Sequence, residues 1–454
     1  MIDPAGFLLT DLYQLNMVQA YLDRGMTDTA VFELFFRRLP DNRGFLVAAG
    51  LDQALDYLEN LRVHDHELAW LRTCGRFRDD LIGYCQSFRF TGSVDAMPEG
   101  TVFFADEPIL RVIAPLPEAQ LVETRLINLV HFQTLIAAKA ARMVLAAAGK
   151  TLVDFGLRRA HGSEAGLLAA RASYIAGFAG TATVAAEPGF GIPIFGTMAH
   201  SFVQAHDDER AAFVNFARAR PDNLTLLIDT YDTEQGARNV VALAPALKQE
   251  GISISAVRLD SGDMIALSRR VRAILDAGGL DSVRIFASGG LDETAIAAMV
   301  KAEAPIDGFG VGTSLATSSD QPALDCAYKL QEYRGLARRK RSIGKATWPG
   351  RKQVWRRHDD QRAMAGDVLG LSDERHAGES LLEPVMRAGK RLSPAPALAA
   401  IRERAAGQRA CLPTALRMLA PGAGYEVTLS DALVALATAV DRRDAETAAR
   451  VFRR

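Results

Sequence analysis

A histidine stands where an extended apolar segment gives way to a helical pattern. The segment is Ile192-Pro193-Ile194-Phe195, and Gly196-Thr197-Met198-Ala199-His200-Ser201 follows it. An imidazole in such a place can act as a base, as a phosphate ligand or as an acceptor of a phosphoryl group, and residue type alone does not choose among these. Other apolar runs end in similar polar or glycine-rich groups. In chain order these are Asp154-Phe155-Gly156-Leu157-Arg158-Arg159, Asp229-Thr230-Tyr231-Asp232, Arg258-Leu259-Asp260-Ser261-Gly262-Asp263, Ala287-Ser288-Gly289-Gly290 and Gly310-Val311-Gly312-Thr313-Ser314. The last two expose backbone N–H groups ahead of a helix, which suits an anion such as phosphate. Arg158, Arg159 and Arg258 can each grip a carboxylate or phosphate with two parallel hydrogen bonds, or form structural ion pairs. Asp229, Asp232, Asp260 and Asp263 can accept from sugar hydroxyls or hold Mg2+ through water; Asp232 and Asp263 can equally cap the helices that follow. His161, just past Arg159, is a weaker candidate of the same kind.

Such groups converge only if the fold brings them to one mouth. Apolar runs at Thr151–Phe155, Ala182–Ala186, Ile192–Phe195, Leu224–Ile228, Ser253–Leu259, Val283–Ala287 and Phe309–Val311 alternate with amphipathic segments such as Thr233–Gln249, Asp263–Ala277 and Asp292–Ala302. Continuous apolar strands imply burial on both faces, and strand–helix alternation implies parallel strands with crossover helices. About seven such strands predict an α/β barrel rather than an open sheet. Active sites of such folds lie at the C-terminal strand ends, with phosphate commonly held after the last two strands. Residues 1–130 read as an α+β domain, with Thr10 or Asp11 capping a first helix, a strand over Ala30–Phe36 and a helix over Leu51–Leu61. The barrel is assigned to 131–325. Residues 326–454 form a C-terminal basic segment and helical extension that partly packs back on the N-terminal domain. Its Arg- and Lys-rich part, Arg334 to Arg357, reads as a solvated surface.

At 454 residues the chain exceeds one compact core. The net charge of -1 gives no global attraction to nucleic acid or anionic lipid. Cys74, Cys85, Cys326 and Cys411 are scattered without metal-ligand spacing and read as free thiols in a reducing compartment. No secretory leader is evident, and no run reaches the roughly 18 apolar residues of a membrane span. The expectation is a cytoplasmic protein with no membrane or nucleic-acid partner.

The order of these groups resembles nicotinate phosphoribosyltransferases. The likeness begins at Leu9-Thr10-Asp11-Leu12-Tyr13-Gln14. It runs through Arg38-Leu39-Pro40 and Gly44-Phe45-Leu46-Val47-Ala48-Ala49-Gly50-Leu51 and includes every strand end above. It ends in Gly344-Lys345-Ala346-Thr347 and Pro349-Gly350-Arg351-Lys352-Gln353-Val354. The resemblance implies a type II phosphoribosyltransferase fold, an irregular, TIM-like α/β barrel with an α+β N-terminal domain and a C-terminal extension. It implies conversion of nicotinate and phosphoribosyl diphosphate to nicotinate mononucleotide and diphosphate in NAD salvage. ATP serves as co-substrate and Mg2+ as cofactor, and His200 is transiently phosphorylated.

The same resemblance implies residue roles. Tyr13 stacks on the pyridine ring of a partner subunit's site, which makes the enzyme a homodimer with shared active sites, and Phe155 supplies the opposing face. Thr197 and Arg258 contact nicotinate, and Arg158 lies near ring and phosphate. Asp260 lies near the ribose, and Ser288, Gly289, Gly312 and Thr313 cradle the phosphoribosyl phosphate. Lys345 contributes to diphosphate or ATP binding. The Mg2+ ligands are left unassigned. The related nicotinamide-using enzymes carry aspartate in a Gly-Thr-Asp-Thr stretch where this chain has Gly180-Thr181-Ala182-Thr183, which favours the acid over the amide. Quinolinate phosphoribosyltransferases share the fold but lack the His200 motif. A nicotinamide-specific transferase and a catalytically silent nucleotide sensor are the competing readings.

Overall fold

The computed structural model describes residues 6–419 and 424–451. The chain divides into two compact units, Met1–Leu135 with Ala323–Arg454, and Ile136–Pro322.

The unit Ile136–Pro322 carries the parallel sheet. Its strands are β1 (Thr151–Asp154), β2 (Gly180–Thr181), β3 (Leu224–Leu227), β4 (Ile254–Leu259), β5 (Arg284–Ala287) and β6 (Gly308–Val311), in hydrogen-bonded order β2-β1-β6-β5-β4-β3. The last strand pairs back on the first, with Gly308 beside Thr151 and Val311 beside Asp154. The result is a curled parallel half-barrel within a mixed α/β fold, with no pairing between β2 and β3 among the described residues. Helices Ser163–Ala176, Thr233–Gln249, Met264–Ala277 and Glu293–Lys301 make the crossovers. Leu226, Leu227, Val257, Leu259, Ile285, Phe309 and Val311 are all buried in the sheet core, as two covered faces require.

Two apolar runs read as strands are not strands. After Thr181 the chain turns, and Ala186–Phe190 is a short helix instead. Ile194 makes only an isolated bridge to Thr181. The physical reason is exposure: Val184, Ile194 and Phe195 are 68%, 40% and 40% exposed, so their apolarity does not mark the core. Pro193 also lacks the N–H that a ladder needs. Among the described residues six strands pair in this sheet, and a closed barrel of seven is not seen.

The unit Met1–Leu135 with Ala323–Arg454 is built on a seven-stranded sheet. Cys326–Tyr333, Thr29–Phe36, Pro108–Pro115, Ser93–Ala96 and Glu383–Arg387 lie side by side and antiparallel. A second sheet joins Lys352–His358 to Met364–Leu371, with Val427–Leu429 at its edge. Part of the basic segment is not the solvated surface expected. Arg356 and Asp367 are both fully buried and paired at 2.6 Å, and Lys352 pairs with buried Glu33 at 2.6 Å. Charges so placed must be partnered, because an isolated buried ion is very costly.

The first helix, Leu12–Asp23, begins after Asp11, but no side chain caps it. Asp11 instead accepts a hydrogen bond from the Thr124 hydroxyl at 2.8 Å. Helix Glu123–Ala146 is long and apolar enough, by length and composition, to cross a membrane, and 78% of its most apolar window is buried inside the protein. That burial is the mark of a core helix. Within the sheet unit it is tied down by Lys139, whose ammonium lies 2.5 Å from Glu293 and 2.7 Å from Asp320.

Candidate active site

The exits of β1 and β2 are fastened together by one buried carboxylate. Asp154 accepts from the Gly156 N–H and from the Thr181 hydroxyl, both at 2.7 Å. Burial pushes its carboxyl above the usual range, and these two hydrogen bonds oppose the shift. Thr181 Oγ1 accepts in turn from the Thr183 N–H at 3.0 Å, which fixes the turn that carries Ala182. Phe155 lies against the backbone of β6, where a Cβ at Gly310 would overlap its ring. Gly310 is thus required by close approach rather than by an unusual backbone angle.

Phe155, Leu157, Arg158, Ala182, the segment Gly196–Ser201, Arg258 and Asp260 line a cavity of about 540 Å³. That is ample for a small aromatic acid with a phosphorylated sugar, since ligand pockets run from about 300 to 1,000 Å³. Arg258 projects from β4 and donates from Nη1 to Thr197 Oγ1 at 3.0 Å. Its guanidinium carbon lies 6.0 Å from the Phe155 ring centroid, at the outer limit of a cation–π contact. Its Nε is buried without a hydrogen-bond partner. Burial draws the Arg258 pKa down, Asp260 and Asp229 draw it up, and Arg158 draws it down further. Guanidinium groups keep their proton in proteins. A guanidinium in the cavity wall beside an aromatic face suits a planar anion.

His200 opens the short helix His200–Gln204. Its Nδ1 lies 3.1 Å from Thr230 Oγ1, and its Nε2 lies 3.8 Å from Asp260 Oδ2. Asp260 Oδ1 accepts a short hydrogen bond from the Ser288 hydroxyl. Behind it, Asp229 Oδ2 accepts from the Asp260 N–H at 2.9 Å and from the Ser261 hydroxyl at 2.6 Å. Asp229 Oδ1 is buried with no hydrogen-bond partner. The ends of β3, β4 and β5 are in this way linked through Asp229, Asp260 and Ser288.

Gly289 follows with φ +90°, and a Cβ there would run into the Asp260 carbonyl oxygen. Left-handed backbone and contact both exclude a side chain. Gly289→Ala is expected to lower stability by more than about 1 kcal/mol, because alanine at positive φ alone costs about that much. A thermal melt checks it, and an unchanged midpoint would contradict the contact.

Of the residues singled out in the sequence, Phe155, Arg158, Thr197, His200, Arg258 and Asp260 meet at this cavity. Ser288 is buried behind Asp260, while Gly289, Gly312 and Thr313 lie at the ends of β5 and β6, outside the cavity wall. Tyr13 and Lys345 belong to the other unit, where both are exposed. Burial, then Glu123 and Asp11, push the Tyr13 phenol up to about 12, so its ring stays neutral. Asp232 and Asp263 turn out to be helix caps: Asp232 accepts from the Gln235 N–H, and Asp263 from those of Ile265 and Ala266. His161 and Arg159 are exposed and do not line the cavity. Thr230 was missed as a partner of His200; its only sequence signal is a hydroxyl next to Asp229 at a strand end. Among the described residues no three His, Cys, Asp or Glu side chains gather as a metal site.

Known proteins resemble this chain along nearly its whole length. Residues 8–131 match the nicotinate phosphoribosyltransferase N-terminal domain, 150–337 the nicotinate phosphoribosyltransferase family and 375–437 its C-terminal domain. The nicotinate phosphoribosyltransferase pncB2 of Mycobacterium tuberculosis is 50% identical over 431 residues, spanning 94% of this chain and 92% of that protein. The Bacillus subtilis nicotinate phosphoribosyltransferase is 43% identical over 381 residues, spanning 82% and 77%. The crystal structure of human nicotinic acid phosphoribosyltransferase superposes with a TM-score of 0.86 at 30% identity, covering 95% of this chain and all of that one. The residues that meet at the cavity fall within the 150–337 match, and the chain belongs to the nicotinate phosphoribosyltransferase family.

Proposed function

We propose that this chain is a nicotinate phosphoribosyltransferase of NAD biosynthesis. It joins nicotinate to phosphoribosyl diphosphate, giving nicotinate mononucleotide and diphosphate, while ATP and water become ADP and phosphate. The observation that carries the reading is Arg258: a half-buried guanidinium, tethered to Thr197 beside Phe155, in the wall of the cavity that His200 and Asp260 also line. Nicotinate supplies the flat ring and the carboxylate that such a site lacks.

The pyridine nitrogen is already a nucleophile, so it needs no strong base. The bond from ribose C1 to diphosphate breaks as the nitrogen–carbon bond forms, and the leaving diphosphate takes the electron pair. Catalysis is then positioning and stabilisation of developing charge. Arg258 and Thr197 orient the carboxylate, Phe155 bounds one ring face and Arg158 lies where ring and phosphate meet. Asp260 accepts from the ribose hydroxyls, and Ser288, Gly289, Gly312 and Thr313 hold the 5′-phosphate. Asp229 and Asp260 suit Mg2+, since Asp229 Oδ1 is buried without a partner and phosphate oxygens and water complete such shells; the bound ion would neutralise diphosphate charge. His200 takes a phosphoryl group from ATP, adding nearly two negative charges at the mouth. We further propose a type II phosphoribosyltransferase fold, a homodimer in which Tyr13 of one subunit stacks on the ring in the other, a role for Lys345 at diphosphate or ATP, and a cytoplasmic location consistent with four free cysteines.

The direct test is an assay of purified protein with nicotinate, phosphoribosyl diphosphate and Mg2+, with and without ATP. Nicotinate mononucleotide and diphosphate are expected, with stimulation by ATP. No diphosphate release would instead favour a silent nucleotide sensor. Substrate choice has its own test at Ala182, which lines the cavity wall. Ala182→Asp is expected to lower kcat/KM for nicotinate about tenfold or more, as a like charge beside the carboxylate would. Use of nicotinamide should fall far less. Equal losses for acid and amide would show that Ala182 does not sense the substrate's charge.

A further inference from the structure

We propose that Thr230 is the positioning residue that fixes which ring nitrogen of His200 accepts the phosphoryl group, leaving Nε2 as the acceptor. This rests on the reading of His200 as a phosphoryl acceptor. The two ring nitrogens stand in different surroundings. Nδ1 is within hydrogen-bond distance of Thr230 Oγ1 at 3.1 Å, whereas Nε2 is 3.8 Å from its nearest carboxylate oxygen, too far for a hydrogen bond. The His200 side chain is 37% exposed and lines the cavity, so a ring held by Nδ1 presents Nε2 to incoming ligand.

A hydroxyl suits this job because it can donate or accept. Attack needs a lone pair on Nε2, so the ring proton must reside on Nδ1, where Thr230 Oγ1 accepts it. The Nε2 lone pair forms the nitrogen–phosphorus bond as the bond from the γ-phosphorus to the bridging oxygen breaks, and ADP leaves with that electron pair. The ring is then a phosphoimidazolium with its proton still on Nδ1. If that proton is lost to water, the Thr230 hydroxyl reverses and donates to Nδ1. A carboxylate in the same place could serve only the protonated ring.

The test uses the full chain with ATP and Mg2+, followed by identification of the phosphohistidine isomer under alkaline conditions by phosphorus NMR. The wild type is expected to carry the Nε2 isomer alone. Thr230→Val, which keeps the shape and removes the hydroxyl, should phosphorylate about tenfold more slowly or worse and yield some Nδ1 isomer. Thr230→Ser should restore both rate and isomer, which a packing role for the threonine methyl would not allow. The Nδ1 isomer on the wild type, or Nε2 phosphorylation of Thr230→Val at the wild-type rate, would overturn the role of Thr230 while leaving His200 as acceptor. No phosphohistidine on the wild type would overturn both. Nitrogen NMR of histidine-labelled protein without ATP separates the two readings. It should show a hydrogen-bonded His200 Nδ1 that loses this signature in Thr230→Val, and an unchanged spectrum counts against Thr230 whatever the phosphorylation result.

Discussion

His200→Ala is expected to abolish the phosphoenzyme and uncouple ATP from turnover without abolishing bond formation. The imidazole lies at the cavity, within reach of Thr230 and near Asp260, and nothing in the proposed glycosyl transfer needs it as a base. The nucleophile is the pyridine nitrogen, and the leaving group needs positive charge rather than a proton. Loss of His200 should therefore remove the difference between rates with and without ATP. Couplings of this kind are usually about 1–3 kcal/mol, so the stimulation expected to vanish is roughly 5- to 150-fold. A residual ATP-independent rate should remain. Folding should hardly change, because His200 is partly exposed and its one hydrogen bond is replaceable by water. The measurement is diphosphate release with and without ATP, beside retention of acid-labile label from ATP. Label persisting on the variant, or continued stimulation by ATP, would move the phosphoryl site elsewhere. Complete loss of the ATP-independent rate in a folded variant would make His200 part of the glycosyl chemistry itself.

The site was legible in the sequence because strand ends of a parallel sheet are places of forced convergence. Phe155, Arg158, Thr197, His200, Arg258 and Asp260 come from three separate segments, and the order of β1 and β4 in the sheet, with the bridge of Ile194 to Thr181, brings them to one cavity. Helix boundaries were equally legible where caps are local: Asp232 and Asp263 take the N–H groups of the residues that follow them. What escaped the sequence depends on burial, which composition does not report. Ile192–Phe195 looks like a strand, yet its apolar side chains at 194 and 195 are exposed and the segment makes one bridge only. Arg356 reads as one of many surface cations and is fully buried against Asp367. Thr230 could not be picked out as the partner of His200, because the two lie thirty residues apart and meet only through the placement of β3. Pairings set by tertiary packing leave no periodicity to read.

Arg258→Gln should produce the largest loss in substrate discrimination. The side chain is held to Thr197 at 3.0 Å and keeps an unpartnered, buried Nε. Hydrogen bonds to charged groups are worth about 1.5–3 kcal/mol each, so removing the guanidinium from a carboxylate should lower kcat/KM for nicotinate by about 100-fold or more. Glutamine keeps much of the length and one donor pair but neither the charge nor the fork, and Arg258→Lys, which keeps charge alone, should recover only part of the activity. Nicotinamide has no carboxylate to lose, so its kcat/KM should change far less and the preference for the acid should collapse. Asp260 and Asp229 complicate the reading, since both lie close enough to influence the Arg258 charge and would be left less well compensated. Thr197→Val resolves this. It removes the acceptor for Nη1 without touching the charge, and is expected to cost nicotinate roughly tenfold, mostly in KM. If the two single losses simply multiply in the double variant, Arg258 and Thr197 act independently. If the double variant is no worse than Arg258→Gln, Thr197 works by aiming the guanidinium, which is the role its 3.0 Å hydrogen bond implies. Equal losses for nicotinate and nicotinamide in Arg258→Gln would show that the guanidinium meets phosphate rather than the ring carboxylate, and would reassign the ring to another wall of the cavity.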